Sequence, residues 1–312
     1  MALNKSLVVF ALCVSTSLAP VWGESTSQTV DLARDIEIAD VHMHLTGESI
    51  KSMLEKMDGN GVRWAGAVGG RLPDGPLRVK AGADKRYIIS LGQAEYQAVL
   101  KDKGEKGLHD LSDPRFVSLF ETAEKLFESK DVRIFGEIHI NNVRSGVNSG
   151  FQVSTSFETA SVKKMYEIAN RYNGFVQIHS EGVENIDDIK KVAQDYPKAT
   201  TILSHCLPFS RPNDIRKLFK EHPNLVCELS ATGSIHRNMR VFNAGGPKWD
   251  WLELIEEFPD RFMLGTDPCC GLAGRYDELI KEIRVSLLPH LRPETIRKLA
   301  NQNAKRLFAL EN

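Results

Sequence analysis

The chain has 312 residues, of which 26% are charged and 42% hydrophobic, and its 40 Lys and Arg nearly balance 41 Asp and Glu. This is the composition of an ordinary globular protein, and it excludes low-complexity, collagen-like and disordered classes. A net charge of −1 lacks the basic character of a general nucleic-acid binder, so a small-molecule substrate is expected and no nucleic acid.

The first 23 residues carry the pattern of a signal peptide. The apolar run 7–19 is too short to span a bilayer but has the length of a signal-peptide core. Small residues at Val21 and Gly23 predict cleavage after Gly23. We therefore expect residues 1–23 to be removed, the mature protein to be exported (periplasmic or secreted), and no stable membrane anchor to remain. A hydrophobic N-terminal helix on a cytosolic protein is the alternative.

Few cysteines follow the predicted cleavage site. Export permits disulfides, but the number is far below that of a disulfide scaffold. We expect Cys227 to be a buried free thiol, and the pattern leaves the state of the other three open. The four cysteines are Cys206, Cys227, Cys269 and Cys270.

Apolar, β-branched runs alternate with helical patterns along the rest of the chain. The runs lack strict polar alternation, which is typical of parallel strands buried on both faces. Eight such strands with intervening helices predict a single-domain (β/α)8 TIM barrel over residues 24–312. Prolines and glycines in 70–86 leave the order of the second and third strands open. The eight runs are 36–44, 63–69, 87–92, 132–140, 174–179, 199–205, 224–230 and 261–267.

Three of the connecting segments have clear helical periodicity: 155–173, 184–195 and 213–221. In the first of them, Thr155 and Glu158 have the spacing of a capping box, which predicts that the helix begins there.

Histidines and carboxylates end five of the predicted strands. The carboxyl ends of all strands of a barrel meet at one mouth, where such enzymes keep their active sites. His and carboxylate side chains are the ligands of zinc-like ions, and imidazole favours Zn, Fe or Ni over Mg. The sequence therefore predicts a metal centre, whereas His109, His222 and His290 are expected to be surface residues. The strand-end residues are His42, His44, Glu137, His139, His179, His205 and Asp267.

This constellation, in this order, resembles the amidohydrolase superfamily of metal-dependent TIM-barrel hydrolases. The nearest subgroup is the amidohydrolase-related family, described as predicted metal-dependent hydrolases of the TIM-barrel fold. The similarity covers most of 36–308 and is specific for the superfamily, but it says nothing about the substrate. It is carried by DVHMHL at 40–45, LSHC at 203–206, GTDP at 265–268 and the closing ETIRKLANQNAKRLF at 294–308.

The resemblance implies a divalent metal, with zinc favoured, bound as one or two ions. His42, His44 and Asp267 would hold one ion, and His179 would either join them or hold a second ion with His205. Six candidate ligands result: His42, His44, Glu137, His179, His205 and Asp267.

The role of Glu137 decides between one ion and two. Glu137 matches the bridging glutamate of the deoxyribonuclease-like TatD members, whereas many amidohydrolase-related members have no ligand on that strand and bind one ion. The alternative is a buried carboxylate that pairs with Arg133 or a histidine.

The resemblance also implies a mechanism. A metal lowers the pKa of its bound water to about 7 and so supplies hydroxide at neutral pH. Asp267 would be both ligand and proton shuttle, and Pro268 is expected to keep it in an extended conformation. His205, if it binds no metal, would stabilise the developing oxyanion.

Two long loops of the predicted mouth offer substrate-binding residues. An arginine beside a metal suits a carboxylate or phosphate group on the substrate, and a solvated loop charge is the alternative for each residue. The candidates are Arg144, His236, Arg237 and Arg240.

Three functions compete. The first is an exported hydrolase that uses metal-bound hydroxide on an ester, lactone, amide or phosphoester of a small substrate. The second is a metal-dependent non-oxidative decarboxylase, and the third is a catalytically silent, ligand-binding barrel. The intact ligand set argues against the third. The substrate, the metal and the oligomeric state are left open.

Overall fold

The computed structural model describes residues 25–44, 50–68, 85–145, 152–269 and 271–311. The predicted signal peptide, most of the segment 70–86 and Cys270 lie outside the described residues.

Parallel strands form a closed barrel in chain order, which confirms the (β/α)8 prediction. The barrel strands are β1 (Ile38–Asp40), β2 (Val62–Gly66), β3 (Tyr87–Ile88), β4 (Ser90–Gly92), β5 (Ile134–His139), β6 (Phe175–His179), β7 (Thr200–Leu203), β8 (Leu225–Glu228) and β11 (Phe262–Met263), with a small hairpin of β9 (Phe242–Asn243) and β10 (Gly246–Pro247). One run of strands has the order β1-β2-β3 and the other β4-β5-β6-β7-β8-β11. The Val41 amide donates to the Leu264 carbonyl at 2.9 Å, which closes the ring between the first and last barrel strands.

The third predicted strand is divided into two short pieces. β3 pairs with β2, whereas β4 pairs with β5. Only Ile89 lies between β3 and β4, so one continuous segment of chain pairs with β2 on one side and with β5 on the other. This places the second and third barrel strands side by side.

Helices surround the barrel. Among the described residues, no helix is long and apolar enough to cross a membrane. They are α1 (Ser27–Asp35), α2 (Ile50–Gly59), α3 (Gln93–Gly107), α4 (Pro114–Glu128), α5 (Ala160–Tyr172), α6 (Ile186–Asp195), α7 (Pro212–Glu221), α8 (Trp249–Glu257), α9 (Tyr276–Glu282), α10 (Pro293–Arg297) and α11 (Asn303–Phe308). A π-helical turn extends α9 over Ile283–Leu287, and another joins α10 to α11 over Lys298–Gln302.

Local sequence explains where these helices begin. The Asp113 carboxylate caps α4 by accepting from the Arg115 amide at 3.0 Å, and Pro114 is the first helical residue, a position where proline is favoured. The start predicted for α5 is wrong, because the Glu158 amide donates to the Ser156 hydroxyl in a turn and the helix begins only at Ala160.

The barrel interior is apolar at its amino end and polar at its carboxyl end. A layer of apolar side chains from the strands packs on Ala304 and Phe308 of α11. The Phe308 ring lies 5.1 Å from that of Phe175, at the start of β6. The last helix thus closes the amino end of the barrel, and the buried histidines and carboxylates His42, Glu137 and Asp267 lie at the carboxyl end.

One cysteine prediction is wrong. Cys227 is not a free thiol, since it forms a disulfide with Cys206 at a Cα–Cα distance of 4.8 Å. Cys227 lies in β8 and Cys206 just after the adjacent strand β7. Strand register brings the two together, and a separation of 21 residues does not reveal that register.

Candidate metal centre

The structure brings the predicted ligands together at the carboxyl ends of the strands. His42 and His44 follow β1, His205 lies in the turn after β7, and Asp267 follows β11, while β5 and β6 carry the others. Each imidazole of the cluster has a nitrogen 3.1–3.9 Å from an oxygen of Glu137. All but His44, which is partly exposed, are buried. The cluster comprises His42, His44, Glu137, His139, His179, His205 and Asp267.

The two oxygens of Glu137 face different histidines. Oε2 lies 3.5 Å from His42 Nε2 and 3.9 Å from His44 Nε2. Oε1 is within hydrogen-bond distance of His179 Nδ1, at 3.1 Å, and lies 3.5 Å from His205 Nε2. Ligands at about 2.0–2.1 Å from a tetrahedral zinc are about 3.3–3.5 Å apart. Glu137 therefore has the placement that a carboxylate needs to bridge two ions.

Asp267 completes the first of these two groups. Its Oδ1 lies 3.7 Å from His42 Nε2 and 3.6 Å from His44 Nε2, and its Oδ2 lies 3.9 Å from His205 Nε2. The extended conformation expected for Asp267 is wrong, since its φ is 49°. The Asp267 amide donates to the His42 carbonyl at 2.7 Å. This hydrogen bond stabilises the left-handed backbone conformation of Asp267, which aspartate tolerates.

Asp40 fixes the relative position of the first and last barrel strands. This buried carboxylate accepts from the His42 amide at 3.2 Å and from the Thr266 amide at 2.9 Å. Its other oxygen accepts from the Thr266 hydroxyl at 2.5 Å. His42 and Asp267 are thereby held in register across the point where the barrel closes.

Two histidines are held so that one ring nitrogen is available to a metal. His42 Nδ1 lies 2.9 Å from Glu228 Oε1, and His205 Nδ1 lies 2.8 Å from Ser230 Oγ. An ionised carboxylate can only accept, so in the neutral ring His42 Nδ1 carries the proton and Nε2 presents a lone pair to a metal. Such partners set the tautomer and orientation of metal-binding histidines.

Glu228 was not among the residues predicted from the sequence for the metal centre. It ends the short apolar strand β8, and its side chain is fully buried. Besides His42, it accepts from the His205 amide at 2.6 Å and the Ser230 amide at 2.7 Å. A carboxylate within a buried apolar strand was the available signal, because such a group requires partners.

Two glycines allow strands to approach the cluster. A Cβ at Gly136, whose φ is +149°, would lie 2.8 Å from the Gln177 carbonyl oxygen. A Cβ at Gly265 would lie 2.7 Å from both the His42 Cβ and the Glu228 carboxylate. Side chains at these positions would displace the ligands, which explains the glycines of GEIH and GTDP in physical terms.

Three buried polar atoms of the cluster make no hydrogen bond with any described residue. They are His42 Nε2, His179 Nε2 and Asp267 Oδ1. Buried polar atoms are normally satisfied, and a bound ion is one of the few explanations for a group of exceptions. The donor set of imidazoles and carboxylates therefore fits a divalent ion of the zinc type.

The electrostatics of the cluster favour positive charge at its centre. Burial acts to lower the pKa of His42, but Glu228, Glu137 and Asp267 outweigh it and raise that pKa well above its ordinary value. Burial acts to raise the pKa of Glu137, yet the surrounding histidines hold it well below its ordinary value. The pKa of Asp267 is lowered to about 2 by His42, His205 and His44 against the effect of burial. The carboxylates are thus ionised and attract a cation.

The turn that carries His205 is held from several sides. His205, Cys206 and Leu207 have φ values of 54°, 50° and 56°, which side chains other than glycine adopt rarely. The disulfide fixes Cys206 to β8. The partly buried Arg240 guanidinium donates to the His205 carbonyl and lies 4.6 Å from the Trp251 ring. Arg240 thus supports this turn, and its place in substrate binding stays a prediction.

The other predicted substrate residues differ in their surroundings. Arg144 forms ion pairs with Glu181 at 3.4 Å and Glu184 at 3.2 Å. His236 Nε2 donates to the Asp267 carbonyl at 3.0 Å, and Arg237 is exposed. Their roles toward a substrate stay predictions.

Two expectations about residues outside this set are corrected. His222 is 5% exposed, so its predicted surface position is wrong. Arg133 does not pair with Glu137, because its guanidinium donates to the Asn173 carbonyl at 3.0 Å.

Comparisons with known proteins agree with this architecture. A family model described as amidohydrolase matches residues 39–310. A probable 2-pyrone-4,6-dicarboxylic acid hydrolase from Acinetobacter baumannii, solved with citric acid bound, is 12% identical, with 88% of this chain and 100% of that chain covered and a TM-score of 0.54. An amidohydrolase from Burkholderia multivorans with bound zinc is 17% identical over 84% of this chain and 88% of that chain, with a TM-score of 0.50.

A 2,6-dihydroxybenzoate decarboxylase complexed with 2,6-dihydroxybenzoate has the same fold. It is 12% identical over 84% of this chain and 89% of that chain, with a TM-score of 0.50. At these identities the likeness concerns the fold alone. Among curated proteins, none matches the chain.

Proposed function

The chain belongs to the amidohydrolase family, whose model matches residues 39–310, and we propose that it is an exported, metal-dependent hydrolase of a small ester, lactone, amide or phosphoester. The observation that carries the proposal is the position of Glu137 between two groups of imidazoles, beside buried nitrogens that make no hydrogen bond with the described residues. The proposed cofactor is zinc, bound as two ions.

The proposed ligand sets follow the two oxygens of Glu137. Its Oε2 faces the group of His42, His44 and Asp267, which would hold the first ion. Its Oε1 faces His179 and His205, which would hold the second. When bound, divalent ions activate a water nucleophile and polarise the scissile group.

Asp267 is proposed to move the proton. Its carboxylate is ionised, lies 6% exposed at the mouth, and presents Oδ2 on the side of His205. It can accept a proton from the attacking water at Oδ2 and pass it to the leaving group. His205 is held at Nδ1 by Ser230, so its Nε2 keeps a fixed direction toward Glu137 Oε1, 3.5 Å away, where it would hold the second ion.

The Cys206–Cys227 disulfide supports export. Disulfides persist in oxidising compartments and are rare in the cytosol. This agrees with the predicted signal peptide at residues 1–23, so the proposed location is periplasmic or extracellular.

The test is elemental analysis of the purified protein, followed by a hydrolysis screen of esters, lactones, amides and phosphoesters with and without chelator. The expected result is stoichiometric zinc and a hydrolysis that chelator abolishes and zinc restores. Protein without divalent metal, or hydrolysis insensitive to chelator, would contradict the proposal.

Decarboxylation is the second candidate, because a solved structure of the same fold is a 2,6-dihydroxybenzoate decarboxylase. Aromatic carboxylic acids added to the screen distinguish it, since decarboxylation releases CO2 and hydrolysis does not.

A further inference from the structure

His139 belongs to the cluster around Glu137, yet the proposed function gives it no role. It is the last residue of β5 and lies opposite His179 in the register with β6. Residues in register on adjacent strands point to the same face of a sheet. His139 is 9% exposed, so it lies within the polar end of the barrel.

The contacts of His139 are those of a co-ligand. Its Nε2 lies 3.6 Å from Glu137 Oε2, too far for a hydrogen bond but close to the spacing of about 3.3–3.5 Å between ligands of one zinc ion. Its ring is parallel to that of His179 within 13° at a centroid distance of 5.1 Å. Ligand atoms of Glu137, His139 and His179 all lie within 4.8 Å of one another.

The other side of the His139 ring is held by a polar side chain. His139 Nδ1 lies 3.4 Å from the amide group of Gln97 in α3. This repeats the arrangement of His42 with Glu228 and His205 with Ser230. An amide can present either its nitrogen or its oxygen at one position. With the oxygen there, Nδ1–H donates to Gln97 and Nε2 presents a lone pair toward Glu137.

We infer that His139 is a ligand of the second ion, together with Glu137, His179 and His205, an inference that rests on the proposed function. The assignment to the second ion rests on the His179 ring beside it, because the Glu137 oxygen near His139 Nε2 is Oε2, which also faces His42 and His44. This set contains three imidazoles and one carboxylate, whereas the first contains two of each. Because nitrogen ligands suit Zn and carboxylates suit Mn or Mg, the second position selects zinc over manganese more strongly than the first.

The experiment titrates chelator-stripped protein with Zn²⁺ and with Mn²⁺ by calorimetry, and with Co²⁺ by visible absorption. Wild type is expected to bind two equivalents. His139→Asn is expected to bind one equivalent of Zn²⁺ normally and the other about 10-fold more weakly or worse, since even the partners of ligands contribute about 10–100-fold. The variant is also expected to lose much of the preference for Zn²⁺ over Mn²⁺ at the second position. Its visible absorption spectrum with Co²⁺ is expected to differ from that of wild type.

Two further variants assign and control the result. His44→Ala is expected to weaken the first equivalent and leave the second unchanged, which identifies the two positions. The matched control is His222→Asn, because His222 is buried between the end of α7 and the start of β8, at the end of the barrel opposite the metal centre. This variant should bind both ions as wild type does.

Two equivalents with wild-type affinities and metal preference in His139→Asn would overturn the inference and leave the proposed function standing. Wild-type protein that binds no ion would overturn both. Should His139→Asn fail to fold by circular dichroism, Gln97→Met decides. It is expected to weaken the second equivalent about 10-fold through His139, and unchanged binding would overturn the inference.

Discussion

Replacing Glu228 by glutamine tests whether a buried carboxylate orients the metal ligands. Glu228 receives three hydrogen bonds: from His42 Nδ1 at 2.9 Å, from the His205 amide at 2.6 Å and from the Ser230 amide at 2.7 Å. The first two converge on Oε1 and the third on Oε2. Glutamine keeps one acceptor oxygen and puts an NH2 group in place of the other.

The cost follows from this geometry. The amide oxygen is best placed where Oε1 receives two bonds, so the NH2 group faces the Ser230 amide and two donors oppose each other. A buried donor left unsatisfied costs about 1–3 kcal/mol of stability. The neutral amide also holds His42 Nδ1–H less strongly than a carboxylate, and loss of such a partner lowers metal affinity about 10–100-fold.

Denaturant unfolding of the metal-free protein and zinc titration measure the two effects separately. The matched control is Glu256→Gln. Glu256 is also buried and accepts from the Arg292 amide and the Thr295 hydroxyl, both at 2.7 Å, but it lies in the outer helix α8. Both variants should lose stability, and only Glu228→Gln should lose zinc affinity. Wild-type zinc affinity in Glu228→Gln would refute the orienting role.

Three further predictions address the ligands, the proton shuttle and the leader. His44→Ala should lower bound metal and abolish hydrolysis while circular dichroism shows an intact barrel, and full metal content with full rate would remove His44 from the site. Asp267→Asn should keep a substantial part of its metal but lose about 10²-fold or more in kcat, because an amide cannot act as a base. A near-normal kcat with a lowered melting temperature would instead make Asp267 a structural residue. N-terminal sequencing of protein from the native host should find a start near Glu24, and an intact Met1 in the cytosol would contradict export.

The sequence was sufficient to predict the barrel and the cluster, because both follow from local rules. Parallel strands show as apolar runs, and a barrel places the carboxyl ends of all of them at one mouth. Residues such as His179 and Asp267, which are distant in the chain, could therefore be placed together without any knowledge of strand register.

The features that were missed depend on contacts between particular strands. The Cys206–Cys227 bond and the hydrogen bond from His42 to Glu228 both require the register of neighbouring strands, which short apolar runs do not encode. The left-handed turn at Asp267 was missed because a tertiary hydrogen bond to His42 outweighs the preference for extended backbone that Pro268 imposes. The loop position from which Arg240 was predicted to bind substrate does not reveal that its guanidinium also donates to the His205 carbonyl.

The proposed function depends on Glu137 lying between two divalent ions and binding both. Anomalous diffraction from crystals of the purified protein, recorded above and below the zinc absorption edge, tests it most directly. Two zinc peaks are expected, each about 2.0–2.2 Å from one oxygen of Glu137, with His42 and His44 beside one and His179 and His205 beside the other. Crystals grown with zinc that show no peak at bonding distance from Glu137 would contradict it.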